Sequence, residues 1–450
     1  MDRREYVRTG LATGAIAGAS RAYGTPGVLA GVLPQGPAPK FGTGGILDAS
    51  VAEQQELMAA GKLTSHSLTS QYLARIKTID KAGPHINAVI EINPEALKIA
   101  LEMDRERKFK RLRGPLHGIP VLLKDNIATA DRMSTAAGSP AAPGTRAARD
   151  AHVAERLRAA GAVIIGKTNV AEWADPDPLH PSGAPDARDG LADNVYALDR
   201  SGNASGSGSG AGSGAAIAAG LATLAVGTGT DGSIVSPAST CGLVGIKPTL
   251  GLISRSGIVP MAHSQDTAGP MARSVADAAL MLHAMAGADP SDPATQACSG
   301  KLVDYRVALE KGGLQGARIG VARNFFGRHA ELDAVIEKAL VELAAQGALL
   351  VDTELASAGQ HEDIDQVMRE HRLDALVAPT GGGFSSPAAV AGYPHLTVPA
   401  GHVHGQPVGL SFVGAAYSEA VLIRMAYCYE QATLHRRAPQ LPASVSFAAR

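Results

Sequence analysis

Apolar residues recur along this chain at two spacings. Over residues 46–60, 65–79, 94–103, 150–160, 330–345 and 418–434 they fall three and four positions apart, the repeat that lines one face of a helix. Asp48, Ala49 and Ser50 give the first of these a polar start, and Pro94 sits in the first turn of the third, where proline is tolerated. Between them lie short apolar runs of strand length at 87–91, 119–123, 162–166, 317–322, 348–351, 373–378 and 410–413. Helices and strands alternate, so the predicted fold is α/β, with a central mixed, largely parallel sheet covered by helices on both faces. No internal repeat and no second Gly/Pro hinge interrupts the pattern, which predicts one domain over residues 31–450.

One tract fits neither spacing. Residues 201–214 are almost pure Gly, Ser and Ala, by composition alone a flexible linker. The tract runs directly into a helical stretch at 215–224 and then an apolar turn, and a linker between domains does not usually feed a core element so abruptly. The alternative is a glycine-rich loop at a helix start, whose backbone N–H groups attract an oxyanion. No Gly-Lys-Ser/Thr follows, so a nucleotide-binding loop is not predicted.

Composition narrows the class. The chain has 450 residues, 45 % of them hydrophobic, enough to bury a large core. Its 52 glycines and 4 % aromatics point to many turns and close backbone approach. A net charge of −1, with no long basic run, argues against a nucleic-acid partner. Cys241, Cys298 and Cys428 are too far apart for a metal knuckle and read as packed thiols. At the N-terminus, Arg3-Arg4 precede a weakly apolar Gly/Ala stretch, an order that resembles a bacterial twin-arginine export signal. Residues 1–30 are therefore read as signal peptide and leader, with Ala17-Gly18-Ala19 as a cleavage site and a periplasmic or extracellular location; the alternative is a frayed helix in a cytoplasmic protein. The apolar stretch is too short and glycine-rich to span a bilayer.

Candidate chemistry sits in three places. Lys124 follows the apolar run at 119–123, where its ammonium would be desolvated and its pKa lowered toward neutrality. Ser233 lies in the turn Gly229-Thr230-Asp231-Gly232-Ser233-Ile234, a geometry that can aim consecutive backbone N–H groups at one spot. Ser209, in the glycine-rich tract, can bridge the two and carry a proton from Ser233 to Lys124. A lone lysine or turn serine is more often structural; the set of three is what suggests a hydrolytic relay. The 14 histidines offer no G-x-S-x-G elbow and no H-E-x-x-H, and His402-Val403-His404 has no third ligand nearby, so neither metal nor cofactor is expected.

Gly114-Pro115-Leu116-His117-Gly118-Ile119-Pro120-Val121-Leu122-Leu123-Lys124-Asp125-Asn126-Ile127 resembles the lysine segment of the amidase signature family. Further blocks continue the likeness: Ala162-Val163-Ile164-Ile165-Gly166-Lys167-Thr168-Asn169, Gly242-Leu243-Val244-Gly245-Ile246-Lys247-Pro248-Thr249, Ser264-Gln265-Asp266-Thr267-Ala268-Gly269-Pro270-Met271 and Pro407-Val408-Gly409-Leu410-Ser411-Phe412. The resemblance covers most of residues 44 to 440. It implies Ser233 as acyl-forming nucleophile, Ser209 as a relay serine held by a cis peptide bond, and Lys124 as neutral base. It selects Ser209 over Ser205, Ser207 and Ser213 by its offset from Ser233, and implies an oxyanion hole from the backbone of Thr230, Asp231 and Gly232. Asp231-Gly232-Ser233-Ile234-Val235 followed by Pro237 is most similar to the peptide-amidase branch.

The expected activity is hydrolysis of a carboxamide C–N bond through an acyl-enzyme, on a small or peptide carboxamide, with a homodimer left open. Relative to the family, a segment between about 352 and 372 looks deleted, which would open the acyl pocket or uncover apolar surface. Two alternatives remain: a catalytically impaired relative, and a subunit of a tRNA-dependent amidotransferase.

Overall fold

A computed structural model of the chain describes residues 45–137, 145–170, 192–196, 198, 209–262, 264–355, 361–381 and 383–441. The leader expected at 1–30 and most of the Gly/Ser tract lie outside these residues. Ser50 caps the first helix, α1 (Val51–Ala59), in a reciprocal box: its Oγ accepts from Glu53 N at 3.2 Å and Glu53 Oε2 accepts from Ser50 N at 2.8 Å. Then come α2 (Ser65–Arg75), a π-helical segment (Ile76–Ala82), β1 (Val89–Ile92), α3 (Ala96–Lys108), β2 (Pro120–Lys124), α4 (His152–Ala159) and β3 (Val163–Thr168). The middle of the chain supplies α5 (Ala211–Ala218), β4 (Leu224–Gly229), α6 (Val235–Thr240), β5 (Val244–Lys247), β6 (Thr267–Ala272) and α7 (Val275–Met285). The last part gives β7 (Arg318–Ala322), α8 (Ala330–Ala345), β8 (Leu349–Thr353), α9 (His361–Glu370), β9 (Ala375–Pro379), α10 (Ser385–Ala391), β10 (His395–Val403), β11 (Gln406–Val413) and α11 (Glu419–Thr433).

The strands form one 11-stranded sheet in the order β1-β3-β2-β4-β6-β5-β10-β11-β9-β7-β8. Strands β2 to β6 and β9 are buried at every position. Successive side chains point to opposite faces, so both faces there are covered. The α/β class and the mixed sheet agree with the expectation from sequence; the balance of strand directions does not. Among the described residues, parallel pairing is confined to β3/β2/β4 and β8/β7/β9. Antiparallel pairs join β1/β3, β4/β6, β6/β5, β5/β10, β10/β11 and β11/β9, and are the majority. One physical reason is a tight return: Val403 pairs with Gln406 across His404-Gly405, both at positive φ (48° and 81°), the two-residue turn that matches the twist of a hairpin.

Two boundaries moved for packing reasons. The helix expected at 215–224 begins at Ala211, inside the glycine-rich tract, and the apolar turn after it is strand β4. A Cβ at Gly212 would overlap the backbone of Asn169, and one at Gly214 would lie 3.0 Å from the Pro237 carbonyl oxygen. Glycine is a poor helix former, but here only glycine lets α5 come this close to its neighbours. The short connection between β8 and β9 contains α9, whose Ile364 is buried with Leu355, Phe325 and Phe384 in a small apolar cluster.

Candidate active site

Parallel strands β2 and β4 lie side by side, with Leu123 opposite Val226, so their C-terminal ends open on the same edge of the sheet. Lys124 closes β2 and is 1 % exposed. Its Nζ donates to Ser209 Oγ at 2.8 Å and to the Thr228 carbonyl oxygen at 3.0 Å. Burial pulls the amine's pKa down to about 7, and the negative charge of Asp266 opposes part of that fall. A substantial share is then neutral near pH 7. A neutral amine can keep one N–H on the Thr228 carbonyl and turn its lone pair to the Ser209 hydroxyl.

Ser209 is 2 % exposed and stands in the turn that opens α5. Its neighbour Gly210 lies hard against the other serine turn: a Cβ there would overlap the Ser233 carbonyl oxygen and sit 3.0 Å from Pro237 Cγ. Ser233, half-buried, precedes α6. The fold puts the Lys124 amine on the Ser209 hydroxyl and packs the Ser209 and Ser233 turns together, but among the described residues it forms no hydrogen bond between the Ser209 and Ser233 side chains. The peptide bond entering Ser209 starts at Gly208, which lies outside the described residues.

Among the described residues, the backbone N–H groups of Thr230, Asp231 and Gly232 meet no acceptor. Three consecutive N–H groups left unclaimed beside a hydroxyl are suited to an oxyanion. Side chains pin the first two residues of this run. Thr230 Oγ1 donates to Asp266 Oδ1 at 2.5 Å, and Ser386 Oγ donates to Asp231 Oδ2 at 2.6 Å. Asp231 Oδ1 is buried with no hydrogen-bond partner. At Gly232 a Cβ would fall 2.8 Å from Ser236 Oγ and 3.2 Å from Ser385 Oγ, so the turn has no room for a side chain.

Among the described residues, no histidine is hydrogen-bonded to Lys124, Ser209 or Ser233. His395 is fully buried, its Nε2 2.6 Å from Ser411 Oγ, and burial drives its pKa down to about 3. His404 sits in the β10–β11 turn and pairs through Nε2 with Glu331 at 2.7 Å. No group of three His, Cys, Asp or Glu side chains able to hold a metal ion occurs among the described residues. Cys241, Cys298 and Cys428 are buried free thiols. No described helix is long and apolar enough to cross a membrane. Sequence reading missed four contributors: the Thr228 carbonyl, Asp266, Ser386 and the Asp231 carboxylate. Asp266 lay within a segment already singled out; Ser386 carried no signal, since it meets Asp231 only through folding over 155 positions of chain.

Residues 67–367 match the family model described as Amidase. A "Probable amidase" of Arabidopsis thaliana is 34 % identical, over 88 % of this chain and 92 % of its own length. The native peptide amidase of Stenotrophomonas maltophilia superposes with a TM-score of 0.80 at 43 % identity, over 87 % of this chain and 98 % of that one. An amidase family protein from Bacillus anthracis gives a TM-score of 0.83 at 34 % identity, over 88 % and 93 % of the two chains.

Proposed function

We propose that this chain, which belongs to the amidase family and hydrolyses amide C–N bonds, does so with Ser233 as nucleophile, Ser209 as proton relay and Lys124 as base. Ser233 Oγ adds to the amide carbonyl carbon while its proton passes to Ser209 Oγ and the Ser209 proton passes to the Lys124 amine. The N–H groups of Thr230, Asp231 and Gly232 receive the charge that forms on the carbonyl oxygen. Collapse breaks the C–N bond, and a proton returns by the same path to the departing nitrogen. Ser233 is left as an ester; water repeats the sequence and frees the carboxylate.

The observation that carries this reading is the 2.8 Å contact between a fully buried amine and the Ser209 hydroxyl. A fluorophosphonate probe should modify Ser233 and no other serine, read by peptide mass. Unmodified Ser233 in folded protein would favour the catalytically impaired relative instead.

The substrate class we infer is the C-terminal carboxamide of a peptide, with ammonia as leaving group. Likeness to a peptide amidase at 43 % identity supports it, as does the unpartnered Asp231 Oδ1 beside the nucleophile, an acceptor for a substrate N–H. Ammonia release from a panel of peptide amides and small free amides tests it; exclusive turnover of small amides would reject the peptide reading. Export through the twin-arginine leader is part of the same proposal, and an intact Met1 on protein recovered from its host would count against it.

A further inference from the structure

Asp266 stands just before β6, 9 % exposed, with three groups donating to its carboxylate. Oδ2 takes the backbone N–H groups of Met261 (2.7 Å) and Ala262 (2.9 Å), which ties the carboxylate into its own turn. Oδ1 faces the other way and takes the Thr230 hydroxyl at 2.5 Å. Thr230 follows directly on β4, whose Gly229 pairs with Thr267 in the sheet. One carboxylate thus links Met261 and Ala262 to the first residue of the run whose N–H groups are unclaimed. Among the described residues no other hydrogen bond holds the Thr230 side chain, and the next anchor is Ser386 on Asp231.

We propose that Asp266 is a positioning residue of the hydrolytic centre, clamping Thr230 so that the Thr230–Gly232 donors face the carbonyl oxygen of the substrate. The inference rests on the Ser233-Ser209-Lys124 reading but assigns a group outside it. Such a clamp acts mainly when charge gathers on that oxygen, so its loss lowers kcat more than it raises KM.

A second consequence is electrostatic. Asp266 lines one small cavity with Arg255 and with Thr228, whose carbonyl takes the Lys124 amine. Asp125 is next in the chain and acts on Lys167; Asp231 acts on Lys247; Arg255 is paired with Asp292, Nε to Oδ2 at 2.9 Å. Asp266 is the one that stabilises the Lys124 ammonium. Removing its charge therefore makes the amine easier to deprotonate and moves the rising limb of kcat/KM to lower pH.

The test is a panel of purified full-length variants: Thr230→Val, Asp266→Asn, Asp266→Ala, the double variant Thr230→Val/Asp266→Asn, and the controls Lys124→Ala and Ser233→Ala. Expected for Thr230→Val is a kcat loss of about 10- to 100-fold with KM within about threefold and the pH limb in place, the range for weakening oxyanion donors. Asp266→Asn should move the limb toward acid, and the double variant should be no slower than the worse single, because both act through one bond. Should Asp266→Ala fail to fold, as judged by its thermal transition, Thr230→Val decides alone. Wild-type kcat in Thr230→Val, a loss confined to KM, or an unmoved limb in Asp266→Asn overturns the inference. If Lys124→Ala and Ser233→Ala lose activity in the same panel, that failure belongs to Asp266 alone. If they remain active, the relay reading fails, and the role of Asp266 with it.

Discussion

Two strands of this sheet end on a buried lysine, β2 on Lys124 and β5 on Lys247, and each is 1 % exposed. Burial lowers the pKa of both amines, to about 7 and about 8. Their surroundings differ in kind. Lys247 Nζ donates to the Tyr393 carbonyl at 2.8 Å and the Pro248 carbonyl at 3.4 Å, with the charges of Glu419 and Asp231 favouring its ammonium. Carbonyl oxygens only accept, so Lys247 has no proton to collect. Lys124 faces one carbonyl and one hydroxyl, and that hydroxyl abuts a second serine turn. Desolvation makes either lysine a base near neutrality; the hydroxyl partner is what gives one of them work to do.

The sharpest way to break this contrast is to remove each amine. Lys124→Ala should reduce hydrolysis by about 10³-fold or more, within the range for losing a general base and the relay it serves. Lys247→Met should keep kcat within about tenfold while costing about 1–3 kcal/mol in urea unfolding, because it leaves the buried Tyr393 carbonyl without its donor. Equal activity losses in the two variants would erase the distinction. Next in size is Ser209→Ala, expected to slow turnover about 10²- to 10³-fold in single-turnover assays while Ser233 still accepts a fluorophosphonate slowly.

Gly210→Ala probes the contact between the two serine turns. The added methyl meets backbone oxygen rather than a flexible side chain, so kcat should fall about 10- to 100-fold as the turns are forced apart, with a lower melting temperature. Smaller again is the pH effect. Since Lys124 works only when neutral, kcat/KM should rise about tenfold per pH unit below its pKa of about 7 and level off above it. Lys247→Met should leave that midpoint where it is. Ser386→Ala should have the least effect, a change of less than about fivefold and mainly in KM, because Asp231 loses one hydroxyl donor while Thr230 keeps its own anchor.

Much of this was legible in the sequence, and the exceptions share a cause. The helix expected at 330–345 is Ala330–Ala345, since its apolar face is periodic throughout. Lys124 and the Ser233 turn were visible because strand burial and turn chemistry are local. By contrast α3 runs on to Lys108, five residues past its expected end, through charged residues that favour helix but carry no apolar repeat. Strands β4, β5 and β6 were missed because Gly and Pro break their runs, a cost the centre of the sheet tolerates where backbones must meet: a Cβ at Gly269 would overlap the Ile246 carbonyl oxygen. Asp266 and Ser386 hold the oxyanion turn from distant parts of the chain, and no spacing rule joins residues that only folding brings together.

The glycines at the head of α5 have a practical consequence for anyone reshaping this enzyme. Libraries randomised at 210 and 212 should return almost nothing but the parent codon, because backbone atoms already fill the space a side chain would need. Diversity is better placed at Ser386, which reaches the catalytic turn through a single hydroxyl, than at Gly381 and Gly383, which face open space but sit at positive φ (116° and 90°) where a side chain is strained.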